Sequence, residues 1–245
     1  MDALLVYSTD WVTLIPLPRS WGDWIQRMIP HVFALLLAAF VAPGASAQPE
    51  IPEMTTRAAA LMALEHPDVR YRAAGIGYLG RTGLAADGPL LVKLLSDPDP
   101  HVRGLAEAAV WRVWSRSGDA EVDRMLAAGV EHMEAGRYAQ AIESFSRVIE
   151  SKPAFAEGWN KRATAWFLAG DMRKSLADCD EVMKRNPQHF GALSGYGQIY
   201  VNLKDYEKAV DYFRRAMEVN PNITGLDNII RRLEELVREK RRHII

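Results

Sequence analysis

Cysteine, net charge and paired histidines are all scarce in this chain of 245 residues. With one cysteine, Cys179, the chain cannot form an internal disulfide or a zinc site with several thiolates. The 30 basic and 31 acidic residues nearly cancel, so no overall field favours nucleic acid or an anionic membrane. No two of the six histidines stand three or four residues apart, the spacing that places two metal ligands on one helix face: His31, His66, His101, His132, His189 and His243.

Phosphate-binding loops are also missing. The chain contains no G-x-x-x-x-G-K-[ST] motif. Gly75, Gly77 and Gly80 approach a G-x-G-x-x-G spacing, but they fall in a predicted helix with no strand before it. His132 and Cys179 fall on apolar repeat positions, where we expect them to pack rather than react. The sequence therefore predicts a protein that is not an enzyme, with no catalytic residue, no metal site and no cofactor.

The first 47 residues differ from the rest. Val32–Ala42 is a run of eleven apolar residues, about half the length needed to cross a ~30 Å hydrocarbon core. A proline and a glycine end the run, and Ala45-Ser46-Ala47 then supplies small residues at the two positions that signal peptidase requires. We predict a cleaved export signal over residues 1–47 with a long n-region, a linker over 48–53, and a periplasmic or secreted mature protein.

Alternatives to this prediction stay open. The stretch before the apolar run is long for an n-region, so translation could begin at Met28 instead of Met1. A start at Met28 would leave almost no basic n-region, which weakens that alternative. An uncleaved membrane anchor and a buried helix are the remaining interpretations of Val32–Ala42.

Residues 121–223 repeat with a period of 34. Six registers keep this step over three copies, which excludes coincidence: Pro153/Pro187/Pro221, Gly129/Ala163/Gly197, Ala141/Ser175/Ala209, Tyr138/Met172/Tyr206, Phe145/Cys179/Phe213 and Met125/Trp159/Leu193. Apolar spacing within each copy predicts two helices joined by a short polar turn. Small residues would let the paired helices approach, and aromatic residues such as Trp159 and Trp166 would fill the space between pairs. Each proline would end a second helix, since it lacks the N–H of the next turn.

These residues resemble the tetratricopeptide repeat family, whose pattern combines a large residue, a small pair, Tyr, Ala, Phe, Ala and Pro. The resemblance implies an all-α fold, a right-handed α-solenoid of stacked helix pairs with three repeats over 121–223. Two positions depart from the pattern, since His132 replaces a Tyr and Cys179 replaces an aromatic, which would leave the middle repeat slightly underpacked. Residues 224–245 show apolar residues at helical spacing with polar neighbours, the pattern of a capping helix.

Residues 54–117 carry a weaker repeat. Pro67-Asp68-Val69-Arg70 recurs in related form as Pro100-His101-Val102-Arg103, and the two copies resemble HEAT repeats. The valines would point into the core, and the arginines Arg70 and Arg103 would reach acids such as Asp97 or Asp99. Two copies are fewer than a solenoid usually needs. We therefore expect Val113 and Trp114 to pack onto the first tetratricopeptide pair and make one continuous array.

The tetratricopeptide resemblance also implies a binding face. In this family the first helices of successive pairs line a concave face that holds an extended peptide or a partner helix. Carried onto this sequence, the groove residues are Leu126, Val130, Met133, Asn160, Thr164, Phe167, Ser194, Gln198 and Asn202. The amides would hydrogen-bond a peptide backbone, with Asn160 and Asn202 facing solvent in the free protein. The alternative is that these residues merely line a wet surface.

One specialised function of the family is disfavoured. Its chaperone-binding members grip a C-terminal carboxylate with Lys, Asn and Arg. The corresponding places here hold Leu126, Val130, Lys161 and Gly195, which leaves one cation. The resemblance therefore implies that this clamp is absent.

The sequence as a whole predicts a non-catalytic adaptor or scaffold of the cell envelope. We expect its partner to be a protein or peptide, with no nucleic acid and, after signal cleavage, no membrane. The basic cluster Arg238–Arg242 fits a solvated helix end. Two alternatives remain, an accessory module of an envelope enzyme system and a membrane-tethered scaffold with an uncleaved N-terminus.

Overall fold

The computed structural model describes residues 53–242, and helices are the only regular structure within that range, which confirms the predicted all-α fold. The predicted export signal lies outside the described residues, as does nearly all of the predicted linker. None of the described helices has the length and apolar character to cross a membrane. In chain order they are α1 (Arg57–Ala63), α2 (Val69–Thr82), α3 (Gly88–Lys93), α4 (Pro100–Trp114), α5 (Ala120–Glu134), α6 (Tyr138–Ser151), α7 (Ala156–Leu168), α8 (Met172–Arg185), α9 (Phe190–Asn202), α10 (Tyr206–Val219) and α11 (Leu226–Arg242), with 3₁₀ turns at Ala85–Asp87 and Leu94–Ser96.

Helices α1–α4 form an N-terminal block of two helix pairs with the same capping pattern. Asp68 and Asp99 are the N-caps of α2 and α4, and each accepts a backbone N–H of the first turn. Arg72 and Arg103 each donate to the carbonyl groups six and five residues earlier in the chain. The caps and the arginines thus define one common register, in which Arg72 corresponds to Arg103. The register expected from the prolines aligned Arg70 with Arg103 instead, so it is wrong by two.

The arginine partners in this block also differ from expectation. Arg70 pairs with its own N-cap, Asp68, instead of reaching the next pair. Arg72 supplies the ion pair to Asp97, with two N–O distances of 2.8 and 2.9 Å. Arg103 bonds the backbone carbonyl of Asp97, at 2.9 Å, and not its carboxylate. The shifted register explains this difference. It makes Arg72, and not Arg70, the residue equivalent to Arg103, so Arg72 is the arginine that reaches Asp97.

Helices α5–α10 form three pairs and are called here the array. The second helices begin at Tyr138, Met172 and Tyr206, the residues of one predicted register, so the predicted repeat period is confirmed. The predicted close approach within pairs is also confirmed. A Cβ added at Gly129 would collide with the ring of Phe145, and the same holds for Gly197 and Phe213. Glycine is required because a ring fills the space that a side chain would occupy.

In the middle pair a larger residue replaces the glycine and a smaller residue replaces the phenylalanine. Ala163 and Cys179 stand where the other pairs have glycine and phenylalanine, and both are fully buried in one cluster. Burial raises the pKa of the Cys179 thiol, which keeps it neutral and suited to packing. A methyl group beside a thiol thus replaces a hydrogen beside a ring.

Trp159 and Trp166 do not fill the space between pairs as expected, since both are only half-buried. Trp159 Nε1 donates to the Pro153 carbonyl at 3.0 Å, and the Arg185 guanidinium lies 4.5 Å from its ring centroid. The Lys174 ammonium lies 4.0 Å from the ring of Trp166. Both indoles act as platforms for cations near the surface.

The turns within the pairs contain one residue in the left-handed region. Gly136 and Gly170 take φ values of +72° and +86° in the first two pairs. The third pair places Lys204 there, at φ +59°. A side chain in this region is strained, because its Cβ crowds the following carbonyl group.

Helix α11 covers the end of the array, and it lies in the part of the predicted capping segment that the structure describes. Leu226, Ile230 and Leu233 are buried against α10, and Arg231 and Arg232 are exposed. One face of the helix therefore covers the last pair and the other meets solvent.

The N-terminal block does not continue the array from its first pair. Trp114, which we expected to pack with Val113 onto α5 and α6, stacks on His189 with 4.5 Å between ring centroids. Trp111 packs edge-on to Phe190 at 5.0 Å, and an added Cβ at Gly191 would come within 2.5 Å of the Trp111 ring. The expectation is wrong, because the block packs against the start of α9 in the third pair.

Contacts from the block reach every turn that follows a second helix of the array. At the first turn, the Lys152 ammonium donates to the Ser117 carbonyl. At the third, Asn222 Nδ2 donates to the Leu95 carbonyl at 2.7 Å, and Arg103 Nε donates to Asn222 Oδ1 at 3.0 Å. The two tryptophans occupy the middle turn. The block thus bridges all three turns along one edge of the array.

Candidate functional site

The first helices of the three pairs, α5, α7 and α9, lie beside one another and form a surface called here the inner face. All nine residues expected to line the groove belong to these helices. Leu126, Met133 and Phe167 are nearly covered, Val130 is half-buried and Asn202 is exposed. The structure therefore places the nine residues on one succession of helices, and their role in binding stays a prediction.

The polar residues at the centre of this set are buried. Asn160 and Gln198 are 2% and 3% exposed, and the two hydroxyl residues of the set are covered to a similar degree. The expectation that Asn160 faces solvent is wrong, and its Nδ2 donates to Glu157 Oε2 at 3.2 Å. Asn202 is exposed as expected, although its Nδ2 donates to the Gln198 carbonyl at 3.1 Å. Most of the polar side chains of the inner face are therefore buried in the free protein.

Glu157, His189 and Lys161 form a buried polar cluster that sequence reasoning missed. His189 Nδ1 accepts the backbone N–H of Ala192 at 3.1 Å, so the ring proton resides on Nε2, which donates to Glu157 Oε2 at 3.0 Å. The Lys161 ammonium lies 3.6 Å from Glu157 Oε1. Burial alone would raise the pKa of the Glu157 carboxyl, but the His189 hydrogen bond and the Lys161 charge outweigh it and lower that pKa. Glu157 is therefore a buried carboxylate at neutral pH.

Local sequence explains how this cluster is positioned. Glu157 and Lys161 are four residues apart on α7 and so share one helix face. His189 is the N-cap of α9, which fixes its ring at the start of that helix. The spacing of Glu157 and Lys161 was visible in the sequence, but the approach of His189 depends on how α7 and α9 pack.

A cleft of about 360 Å³ opens beside the cluster, between the N-terminal block and two turns of the array. Its walls combine aromatic and proline side chains with a few polar ones: Pro89, Trp114, Phe155, Arg185, Gln188 and His189. Arg185 is already engaged, since its Nη1 donates to Glu181 Oε2 at 2.6 Å. The cleft lies at the seam between the N-terminal block and the array. Its polar side chains Arg185 and His189 already hydrogen-bond other residues of the protein.

The described residues place no metal-binding chemistry on the inner face. Within residues 53–242, no group of three or more His, Cys, Asp or Glu side chains is arranged to hold an ion. Lys161, the single cation at the clamp positions of the sequence analysis, is 6% exposed and faces Glu157. The inner face thus offers apolar and uncharged polar surface around a buried ion pair.

Family models of the tetratricopeptide repeat match residues 126–182 and 192–223. These ranges fall on α5–α8 and on α9–α10, the three pairs that share one repeat period. This chain carries tetratricopeptide repeats. The array is therefore a tetratricopeptide repeat (TPR) array, whereas the HEAT-like character of residues 54–117 stays a prediction.

Two curated relatives show the extent of the similarity. A TPR repeat-containing protein of Rhizobium etli is 30% identical over 132 residues, which is 54% of this chain and 65% of that protein. The Hsp70-Hsp90 organizing protein 1 of Glycine max is 25% identical over 114 residues, which is 46% of this chain and 20% of that protein. The matched part of this chain therefore spans less than two thirds of either relative.

Solved TPR domains match to a similar extent. The first TPR domain of Spaghetti (RPAP3), bound to the HSP90 peptide SRMEEVD, has 22% identity and a TM-score of 0.46, covering 47% of this chain and 94% of that one. The Sgt2 TPR domain from Aspergillus fumigatus has 21% identity and a TM-score of 0.48, covering 51% of this chain and 83% of that one. Both matches leave about half of this chain uncovered.

Proposed function

We propose that this protein is a non-catalytic adaptor whose inner face binds a peptide or a partner helix. The observation that carries the proposal is the TPR array itself, three successive pairs whose first helices present one continuous surface. Stacked repeats of this kind create extended surfaces suited to extended partners. The relationship to proteins named for organizing Hsp70 and Hsp90 supports the same role.

The composition of the inner face favours a particular mode of binding. Leu126 and Val130 put apolar side chains where a carboxylate clamp would need cations and amides. Lys161 faces the carboxylate of Glu157, so its charge is already compensated. We therefore expect an internal segment of a partner to bind, in preference to a free acidic C-terminus.

We also propose that the adaptor acts in the cell envelope after export. Ala45-Ser46-Ala47 after an apolar run supports this part of the proposal. N-terminal sequencing of protein from the native host should begin at Gln48. Recovery of Met1 or Met28 in a soluble cytoplasmic pool would contradict export and leave the adaptor role standing.

Peptide display on the full chain tests the adaptor role. Random dodecapeptides selected on the wild-type protein should bind at least ~10-fold more weakly to a double variant, Val130→Trp with Asn202→Trp, because the two added rings would block the inner face. These positions are half-buried and exposed in the free protein, so the fold should tolerate the change. Met62→Trp is the matched control, since Met62 is 80% exposed on α1, far from the inner face in sequence. Selected peptides that bind all three proteins equally would show that the inner face is not the binding surface.

A further inference from the structure

Four buried side-chain atoms within the described residues lack any hydrogen-bond partner. Three of them are carbonyl or carboxylate oxygens on α7 and α9: Glu157 Oε1, Asn160 Oδ1 and Gln198 Oε1. The fourth, Ser115 Oγ, is a hydroxyl that follows α4, outside the inner face. Unpartnered acceptors are therefore concentrated on two neighbouring helices of the binding face.

Two of the donors beside these oxygens are already used. Asn160 Nδ2 and His189 Nε2 both donate to Glu157 Oε2, the other oxygen of the carboxylate. The Lys161 ammonium stands 3.6 Å from Glu157 Oε1, which is beyond hydrogen-bond distance. The cluster therefore has an excess of acceptors that no neighbouring side chain satisfies.

Gln198 shows why this excess is unusual. It is 3% exposed, and its Oε1 has no donor within hydrogen-bond distance. An apolar residue of similar shape would fill the same volume without leaving a buried acceptor unpaired. A buried acceptor with no partner lowers stability, and folds rarely retain one without a use for it.

We propose that these three oxygens receive hydrogen-bond donors from the bound partner, and that the partner segment carries arginine or lysine. The inference rests on the proposed function, which places the partner on the inner face. Arginine has five N–H donors and lysine three, and neither has an acceptor. A carboxylate in the same place would meet three acceptors and could accept a hydrogen bond from none of them. Because the oxygens are covered in the free protein, binding includes a side-chain rearrangement on α7 and α9.

The composition of selected peptides is the first test. Peptides displayed on phage are selected on the full chain, and only those that lose binding to the uncharged Val130→Trp, Asn202→Trp double variant are sequenced. We expect Lys and Arg together at ~2-fold or more above their library frequency at one position, and Asp and Glu below theirs. Peptides that depend on the inner face yet show no such enrichment would overturn the inference and leave the adaptor role intact. The absence of any inner-face-dependent peptide would overturn the adaptor role itself.

The variant Gln198→Met is the second test, because it replaces an unpaired amide by an apolar chain of similar length. We expect its Tm to rise by ~2–4 °C and the selected peptide to bind at least ~10-fold more weakly. Asn222→Leu is the control for removing a half-buried amide that is bonded through both its nitrogen and its oxygen, and its Tm should fall. Gln198→Leu replaces the Met variant if that variant does not fold. A lowered Tm with unchanged peptide binding would mean that a fixed water or neighbour satisfies the oxygen, and would overturn the inference.

Discussion

The first and third TPR pairs have the same repeat pattern but different surroundings. Phe145 of the first pair belongs to a buried cluster made only of residues from α5–α7 and the turn before α7. Phe213 of the third pair belongs to a larger cluster that also contains Leu79 of α2, Val110 of α4 and Ile230 of α11. Equivalent repeat positions therefore share local geometry and differ in how far their packing extends through the molecule.

The difference teaches how a block of two helix pairs becomes stable. Two repeats bury too little surface to fold well alone, and a third is usually needed. The N-terminal block gains this surface from the third TPR pair, through Trp111 and Trp114, and not from the pair next to it in sequence. Its stability should therefore depend on residues far along the chain, at the start of α9.

The largest expected effect comes from truncating the two phenylalanines. Phe145→Ala and Phe213→Ala should each lower the free energy of unfolding by about 3–5 kcal/mol, because both rings are buried. Hydrogen exchange should separate them. Phe145→Ala should accelerate exchange in α5–α7, and Phe213→Ala should accelerate it in α9–α11 and also in α2 and α4. Identical exchange patterns would show that the two clusters are not independent.

Removal of the Trp114 indole ring, which packs the N-terminal block against α9, should have the next largest effect. Trp114→Ala deletes the stack on His189 and should lower the free energy of unfolding by about 3 kcal/mol, at the low end for a buried aromatic because contacts across the seam can partly close. Exchange should accelerate in α1–α4 and at the start of α9 together. Trp166→Ala is the control, since Trp166 is half-buried and away from the seam. Acceleration confined to α4 would contradict docking on α9.

A smaller effect, of opposite sign, is expected at Glu107. Burial raises the pKa of its carboxyl, and the hydrogen bond from Asn220 Nδ2, at 3.1 Å, offsets only part of that rise. A carboxyl whose pKa is raised by folding stabilises the fold when protonated, and this contribution is lost as pH rises through the folded pKa. Glu107→Gln keeps an acceptor for Asn220 without the charge, so it should raise Tm at pH 7.

The pH dependence of this variant checks the sign. At pH 4, below the ordinary Glu pKa of 4.5, Glu107 holds its proton in the fold, so the advantage of Glu107→Gln should shrink toward zero. Glu143→Gln, on the exposed face of α6, is measured beside it as the control for removing a solvent-exposed charge. An advantage that grows as pH falls would show that the carboxylate is stabilised by docking.

The smallest effect is expected in the turn of the third pair. Lys204→Gly should raise the free energy of unfolding by about 0.5–1 kcal/mol, because glycine adopts φ near +59° without strain. Gly170→Ala in the equivalent turn of the second pair should lower it by about 1 kcal/mol for the same reason. If both substitutions raised the free energy of unfolding, or both lowered it, the two turns would not be equivalent. Urea unfolding measures both.

Sequence reasoning succeeded where structure depends on local spacing. The repeat period predicted the TPR pairs and the close approach of their helices at the small residues, because the same packing recurs in each copy. It failed for the HEAT-like register, where the matching prolines aligned Arg70 with Arg103 but the caps Asp68 and Asp99 correspond instead. Proline tolerates several places near a helix start, whereas an N-cap side chain has one. Capping residues are therefore the better guide to register.

The candidate site was predictable in position and not in environment. The family resemblance placed Asn160 on the inner face, but its burial depends on the packing of α7 against α9. The same is true of His189, whose partner Glu157 lies in the preceding repeat. The packing of Trp111 and Trp114 against the start of α9 could not be predicted from nearby sequence. The residue that makes room for Trp111 is Gly191, which belongs to a distant repeat. Such features follow from three-dimensional packing and not from a period.

The hydrogen bond between Asn222 and the Leu95 carbonyl joins the third TPR pair to the N-terminal block, and this has a consequence for synthesis. A ribosome makes the N-terminal block first, but the surface on which Trp111 and Trp114 settle is made last. Until α9 is synthesised, the side chains of Trp111 and Trp114 have no surface to pack against. A chain that ends before α9 lacks the segment His189–Phe190–Gly191 that contacts them. Nascent chains paused before α9 should therefore expose apolar surface and bind holdase chaperones, and release should coincide with completion of the third pair.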